Sequence, residues 1–143
     1  MEREKFCEQY TLEELNQLNA DSMIQVLGIK YTYVDEDRVE ATMPVDHRTC
    51  QPFGFLAGGS TLALVETLAG LGSLVHIPKD KLPVGMQVSA SHVSAVPLGE
   101  TVRGIATPIH LGRSTHVWNV DVVVEKSGKL VSSARVTNQI LDR

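Results

Sequence analysis

The second half of the chain alternates apolar and polar residues almost without relief. This period of two predicts long strands over residues 84–96, 101–111, 115–125 and 129–141. Turn formers separate them: Pro97-Leu98-Gly99, Gly112-Arg113-Ser114 and Ser127-Gly128. Such short connections exclude parallel crossovers, so a meander of antiparallel strands is expected. Pro108 has no ladder donor, which predicts an edge or a bulge in the 101–111 strand. Ahead of the strands, residues 58–75 carry Leu62, Leu64, Val65, Leu68, Leu71, Leu74 and Val75, which cover most of a helix circumference. A helix apolar on most sides must be buried on most sides.

The first third is read from its punctuation. Thr11 and Glu14 form a capping box ahead of Leu12, Leu15 and Leu18 at helical spacing. Asp21 is placed to cap a short turn over residues 22–27, which Gly28 ends. Two strands, 29–34 and 38–43, flank a tight connection at Asp35-Glu36-Asp37, and Pro44 ends the second. Loops are expected over 45–55 and 78–83. One long apolar helix against an antiparallel sheet is an α+β architecture. The 143 residues fit a single domain, 1–143, large enough to bury its own core.

Composition narrows the function by exclusion. A net charge of -4 argues against general nucleic-acid binding, which needs a basic surface. Cys7 and Cys50 suit two free thiols in a reducing compartment. His47, His76, His92, His110 and His116 form no metal-ligand spacing, so no metal is expected. The charged N-terminus leads into no apolar run, and residues 53–77 hold five glycines and Glu66 before Pro78. Neither a leader peptide nor a membrane span is therefore expected, and a cytoplasmic location is.

Charge inside the apolar centre is the sharpest local signal. Between Thr49 and Pro78, Glu66 is the only Asp, Glu, Lys or Arg. It shares a helix side with Gly59, Ala63, Gly70 and Ser73, all small, as at an interface or a ligand cavity, or on a plain solvent face. If partly desolvated, this carboxylate holds its proton to higher pH and suits a general base; it is equally a candidate nucleophile toward an acyl carbon. At the helix start, Gly58-Gly59 offers free backbone N–H groups able to polarise a carbonyl, with room for close approach. Gln51 is either a water-orienting side chain or an ordinary loop glutamine. His92 lies in phase with Val84, Met86, Val88 and Ala90, as a core or interface histidine. No Gly-x-Ser-x-Gly elbow and no phosphate-binding loop are present.

The segment Ala41-Thr42-Met43-Pro44-Val45-Asp46-His47-Arg48-Thr49-Cys50-Gln51-Pro52-Phe53-Gly54 resembles the hotdog-fold acyl-CoA thioesterases. So do Gly58-Gly59 with Glu66 downstream, Ser91-His92-Val93 and His110-Leu111-Gly112, over nearly the whole chain. The branch it is most similar to hydrolyses 1,4-dihydroxy-2-naphthoyl-CoA in menaquinone synthesis, with a sister that proofreads aryl carrier proteins. The resemblance implies a long helix wrapped by a five- or six-stranded antiparallel sheet. It also implies homodimers or homotetramers with sites at the subunit interface, and no cofactor beyond the coenzyme A of the substrate. It makes Glu66 the catalytic carboxylate, Gly58 the amide on the thioester carbonyl, and Gln51 a positioning residue, with Glu66 and Gly58 from opposite subunits. It places Gly59 at the substrate, Gly70 in an enlarged acyl pocket, and His92 and Arg113 beside the coenzyme A tail. The family's His-Gly-Gly is here Ala57-Gly58-Gly59. One lost catalytic contact is worth about 10²–10⁴-fold in rate. The expected function is hydrolysis of an aromatic acyl-CoA or an acyl carrier-protein thioester. The alternatives are an acyl-CoA-binding protein without turnover and, third, a hydratase or dehydratase.

Overall fold

A computed structural model describes residues 4–143. A 3-10 turn, Phe6–Gln9, precedes two short helices, α1 (Leu12–Gln17) and α2 (Met23–Val26). Strands β1 (Lys30–Val34) and β2 (Val39–Pro44) lead to the long helix α3 (Gly58–His76). Four strands follow: β3 (Lys81–His92), β4 (Thr101–Leu111), β5 (Thr115–Val124) and β6 (Leu130–Asp142). Local chemistry explains the first elements. Thr11 and Glu14 close the expected capping box on α1, and Gly28 leaves α2 at a φ of 74°. Ser22, not Asp21, is the N-cap of α2; Asp21 sits at a φ of 60° and its amide donates to Gln25 Oε1. Asp35 Oδ1 accepts from the Asp37 and Arg38 amides and so fixes the β1–β2 turn.

The six strands form one antiparallel sheet in the order β1-β2-β4-β5-β6-β3. The expected meander holds for β4, β5 and β6. It fails for β3, which crosses to the far edge and pairs with β6 rather than with β4. β3 also starts at Lys81, inside the span expected as a loop, because Pro83 lies on an edge strand where a missing N–H costs little. Its register shifts between Gly85 and Gln87, leaving Met86 as the extra residue of a bulge. Pro108, in the interior strand β4, likewise sits at a bulge, between Pro108 and His110.

The sheet wraps α3, whose Leu64, Val65, Leu68, Ala69 and Leu71 are buried with Met43, Val102, Trp118, Val120 and Val136. Two glycines set the fit: Gly104 on β4 makes room for Leu68, and a Cβ at Gly72 would lie 2.6 Å from the Trp118 ring. α3 is also the one helix among the described residues long and apolar enough to cross a membrane. Here it serves as the core of the sheet.

One polar network runs through this core. The Ser73 hydroxyl accepts from Trp118 Nε1 (3.0 Å) and Asn138 Nδ2 (3.1 Å), which occupies both lone pairs. Its own proton therefore goes to His116 Nδ1, 2.8 Å away. Ser73, expected on the small-residue side with Glu66, is thus fully buried and turned into the sheet.

Candidate active site

Residues 45–57 position the start of α3 through a chain of hydrogen bonds. Arg48 binds Asp46 at 2.7 Å and holds its carboxyl down at about 2. The buried Thr49 hydroxyl donates to the Pro44 carbonyl, and the Thr49 carbonyl accepts from the Ala57 amide and the Ser60 hydroxyl. Ala57 is the N-cap in extended conformation and supplies no side-chain cap. The first turn of a helix lacks intrahelical acceptors for its amides. Gly58, Gly59 and Ser60 therefore present N–H groups at the end of a 19-residue helix, where the dipole is positive.

His92, the last residue of β3, packs on this point. A Cβ at Gly58 would stand 2.9 Å from His92 Nε2. The ring is held from behind: His92 Nδ1 lies 2.8 Å from Ser132 Oγ, and that hydroxyl lies 3.2 Å from the Ser91 carbonyl. If the Ser132 hydroxyl donates to Ser91, His92 Nδ1 carries a proton and Nε2 is the nitrogen free to face a ligand. Leu56, Gly58, Thr61, Ser94 and Val131 complete a cavity of about 80 Å³ around it.

Glu66 lies eight residues along α3, about 12 Å from Gly58 at a helical rise of about 1.5 Å per residue. It is exposed, and its carboxylate rests against Gly85, where any Cβ would collide with it. The expected partly desolvated setting is therefore absent within one chain. Gly59 and Gly70 share the uncovered side of α3 with Glu66, and no heavy atom lies within 4 Å of where their Cβ atoms would be. This side lies beside edge strand β3, whose Val84 and Met86 are exposed, as is Val93 just beyond it.

The other candidates fall elsewhere. Gln51 Oε1 accepts from the Phe53 amide, so its side chain closes its own loop. Ala57 and Gly59 border a cavity of about 280 Å³ with Met23, Leu27, Arg48 and Cys50. Arg113 lines a separate cavity of about 410 Å³ at the other end of α3, with His76, Lys81 and His116. One chain thus joins Gly58 with His92, and Glu66 with Gly85, but not the two pairs with each other. The Ser132 support of His92 had no sequence signal, because only the β3–β6 register brings residues 40 apart together. Cys7 and Cys50 are free thiols as expected, and among the described residues no cluster of His, Cys, Asp or Glu forms a metal site.

A helix wrapped by a six-stranded antiparallel sheet, with glycine amides at its start and one carboxylate on its bare side, is the hotdog arrangement of thioester hydrolases. A sequence profile of the Thioesterase superfamily matches residues 53–131. The chain is 43% identical over 131 residues to the proofreading thioesterase EntH of Cronobacter sakazakii, covering 92% of this chain and 94% of that one. It is 39% identical over 131 residues to the 1,4-dihydroxy-2-naphthoyl-CoA hydrolase of Escherichia coli K12, covering 92% and 95%. A crystal structure of a thioesterase from Haemophilus influenzae superposes with a TM-score of 0.89 at 43% identity, covering 94% of this chain and 92% of that one. The chain belongs to the thioesterase superfamily.

Proposed function

We propose that this thioester hydrolase acts on an aromatic acyl-CoA, with 1,4-dihydroxy-2-naphthoyl-CoA as the first candidate, at a site completed by a second copy of the chain. The observation that carries the reading is the separation of Glu66 from the Gly58 amide along one rigid helix. Two copies related by a two-fold axis beside β3 would bring the carboxylate of one to the helix start of the other. There the Gly58 amide polarises the thioester carbonyl, and Glu66 takes a proton from the water that attacks it. The name of the Escherichia coli relative supports a coenzyme A ester as substrate, and the name of the Cronobacter sakazakii relative supports a thioester without specifying its carrier. The uncovered stripe at Gly59 and Gly70 leaves room for a planar acyl group, and no metal or redox group enters the scheme.

The test is thiol release from benzoyl-CoA, a hydroxynaphthoyl-CoA and a medium-chain fatty acyl-CoA, with Glu66→Gln as control. Release fastest from the hydroxynaphthoyl ester and reduced at least about 10²-fold in Glu66→Gln is expected. Ala57→His, run beside them, is expected to raise the rate by supplying an imidazole at the helix start. A rise in melting temperature with acyl-CoA but no thiol from either form would instead identify a binding protein.

A further inference from the structure

The imidazole that packs on the start of α3 is His92, and it is oriented from behind by a serine that is 0% exposed. Gly85 and His92 mark the two places where β3 touches the candidate site, one against Glu66 and the other against Gly58. The outer edge of β3 is unpaired within the chain. Antiparallel pairing of β3 with its own copy, centred between these two positions, would bring the Gly85 end of one strand to the His92 end of the other.

We propose that His92 is the general acid of the site: its Nε2–H, facing Glu66 of the second copy across the paired β3 strands, delivers the proton to the departing thiolate. This rests on the shared-site reading above. Glu66 removes a proton from water as the water oxygen bonds to the acyl carbon. The tetrahedral intermediate collapses, the C–S bond breaks with its electron pair on sulfur, and sulfur takes the Nε2 proton. His92 is left neutral, still donating from Nδ1 to Ser132. The proton held by Glu66 then returns the imidazole to its starting state through solvent, and the acid product releases one proton. The sum is thioester plus water giving carboxylate, thiol and a proton.

The surroundings suit this role. No ionisable group besides His92 lines its cavity. β6 offers it Ser132, while Ser133 and its partner Asp121 lie on the other face of the sheet, and the first two turns of α3 are uncharged. The proposed pairing brings the Glu66 carboxylate of the second copy into these uncharged surroundings.

The experiment compares wild type, His92→Gln, His92→Asn and Ser132→Ala on one acyl group carried by coenzyme A or by thiophenol, whose thiol is far more acidic. For the coenzyme A ester, both His92 variants are expected to lose about 10²-fold in kcat with little change in KM. For the thiophenyl ester, whose leaving group needs no proton, the deficit is expected to shrink below about tenfold. Ser132→Ala is expected to lose less. A deficit equal for both esters overturns the proposal. Absence of thiol release from wild type overturns the shared-site reading as well, whereas loss in Glu66→Gln with full activity in His92→Gln overturns this inference alone.

Discussion

The most constrained positions of the core are Gly72 and the Ser73 network beside it. A Cβ at Gly72 would meet three atoms of the Trp118 ring at 2.6–2.9 Å, and that ring is 1% exposed and tied to Ser73. Neither side can move cheaply. Gly72→Ala is therefore expected to destabilise the fold by about 1–3 kcal/mol, read as a shifted urea midpoint. His116, 3% exposed, receives the Ser73 proton, and burial pushes its imidazole down to about 4. The unfolded chain binds a proton near pH 6.5 where the folded chain does not. The contribution is thus fully present above about pH 6.5 and is lost as pH falls toward 4, at up to about 1.4 kcal/mol per pH unit. Burial moves His76 in the same direction. Urea titrations between pH 4.5 and 7.5 are expected to show this slope, flattened in His116→Gln. Nothing in the residue pattern announces this network. Ser73 reads as one more small residue beside Glu66, and only the sheet shows that it points the other way.

At the scale of elements, α3 and the β4–β5–β6 meander were legible because their periods are long and their turns carry Gly, Ser and Pro. The strand bounds 101–111 match β4 without a shift. β3 was not legible at its start, since Lys81 and Pro83 break the expected alternation, and its partner was not legible at all. Adjacency in sequence favoured β4, whereas β3 pairs with β6 across the sheet. That choice leaves β3 as an edge with Met86 53% exposed at its bulge, which an isolated chain has little reason to keep. Met86→Lys is expected to shift the protein to monomer elution in size exclusion and to abolish thiol release. Its melting temperature, measured at low concentration, should change little.

For the whole molecule, the candidate site was half legible. Glu66 was visible as the one charge in an apolar stretch, Gly58 only as part of a Gly-Gly helix start, and His92 read as a core or interface histidine. Their distribution into two separate clusters, about 12 Å apart along α3, was not visible without the fold. Two defective chains should therefore repair each other: Glu66→Gln mixed with a Gly58 variant forms hybrid dimers holding one intact site and one doubly altered site. At equal mixing, about a quarter of wild-type thiol release is expected, after unfolding and refolding the pair together. Mixed dimers with no activity would exclude a site shared in this way. Within one chain Gln51 closes its own loop and Arg113 lies at the far end of α3, so neither joins the Gly58–His92 pair.

The burial of Trp118 has an optical consequence. It is the only tryptophan in the chain, packed with its indole N–H on Ser73 and the His76 ring 6.0 Å away. The protein thus carries one intrinsic fluorophore at the point where α3 meets the sheet. Its emission is expected to be blue-shifted while the core is dry and to move red when α3 leaves it. An imidazolium quenches indole, so protonation of His76 should dim the signal before the wavelength moves. Intensity and colour then separate proton uptake at the end of α3 from loss of the fold, in an unlabelled sample.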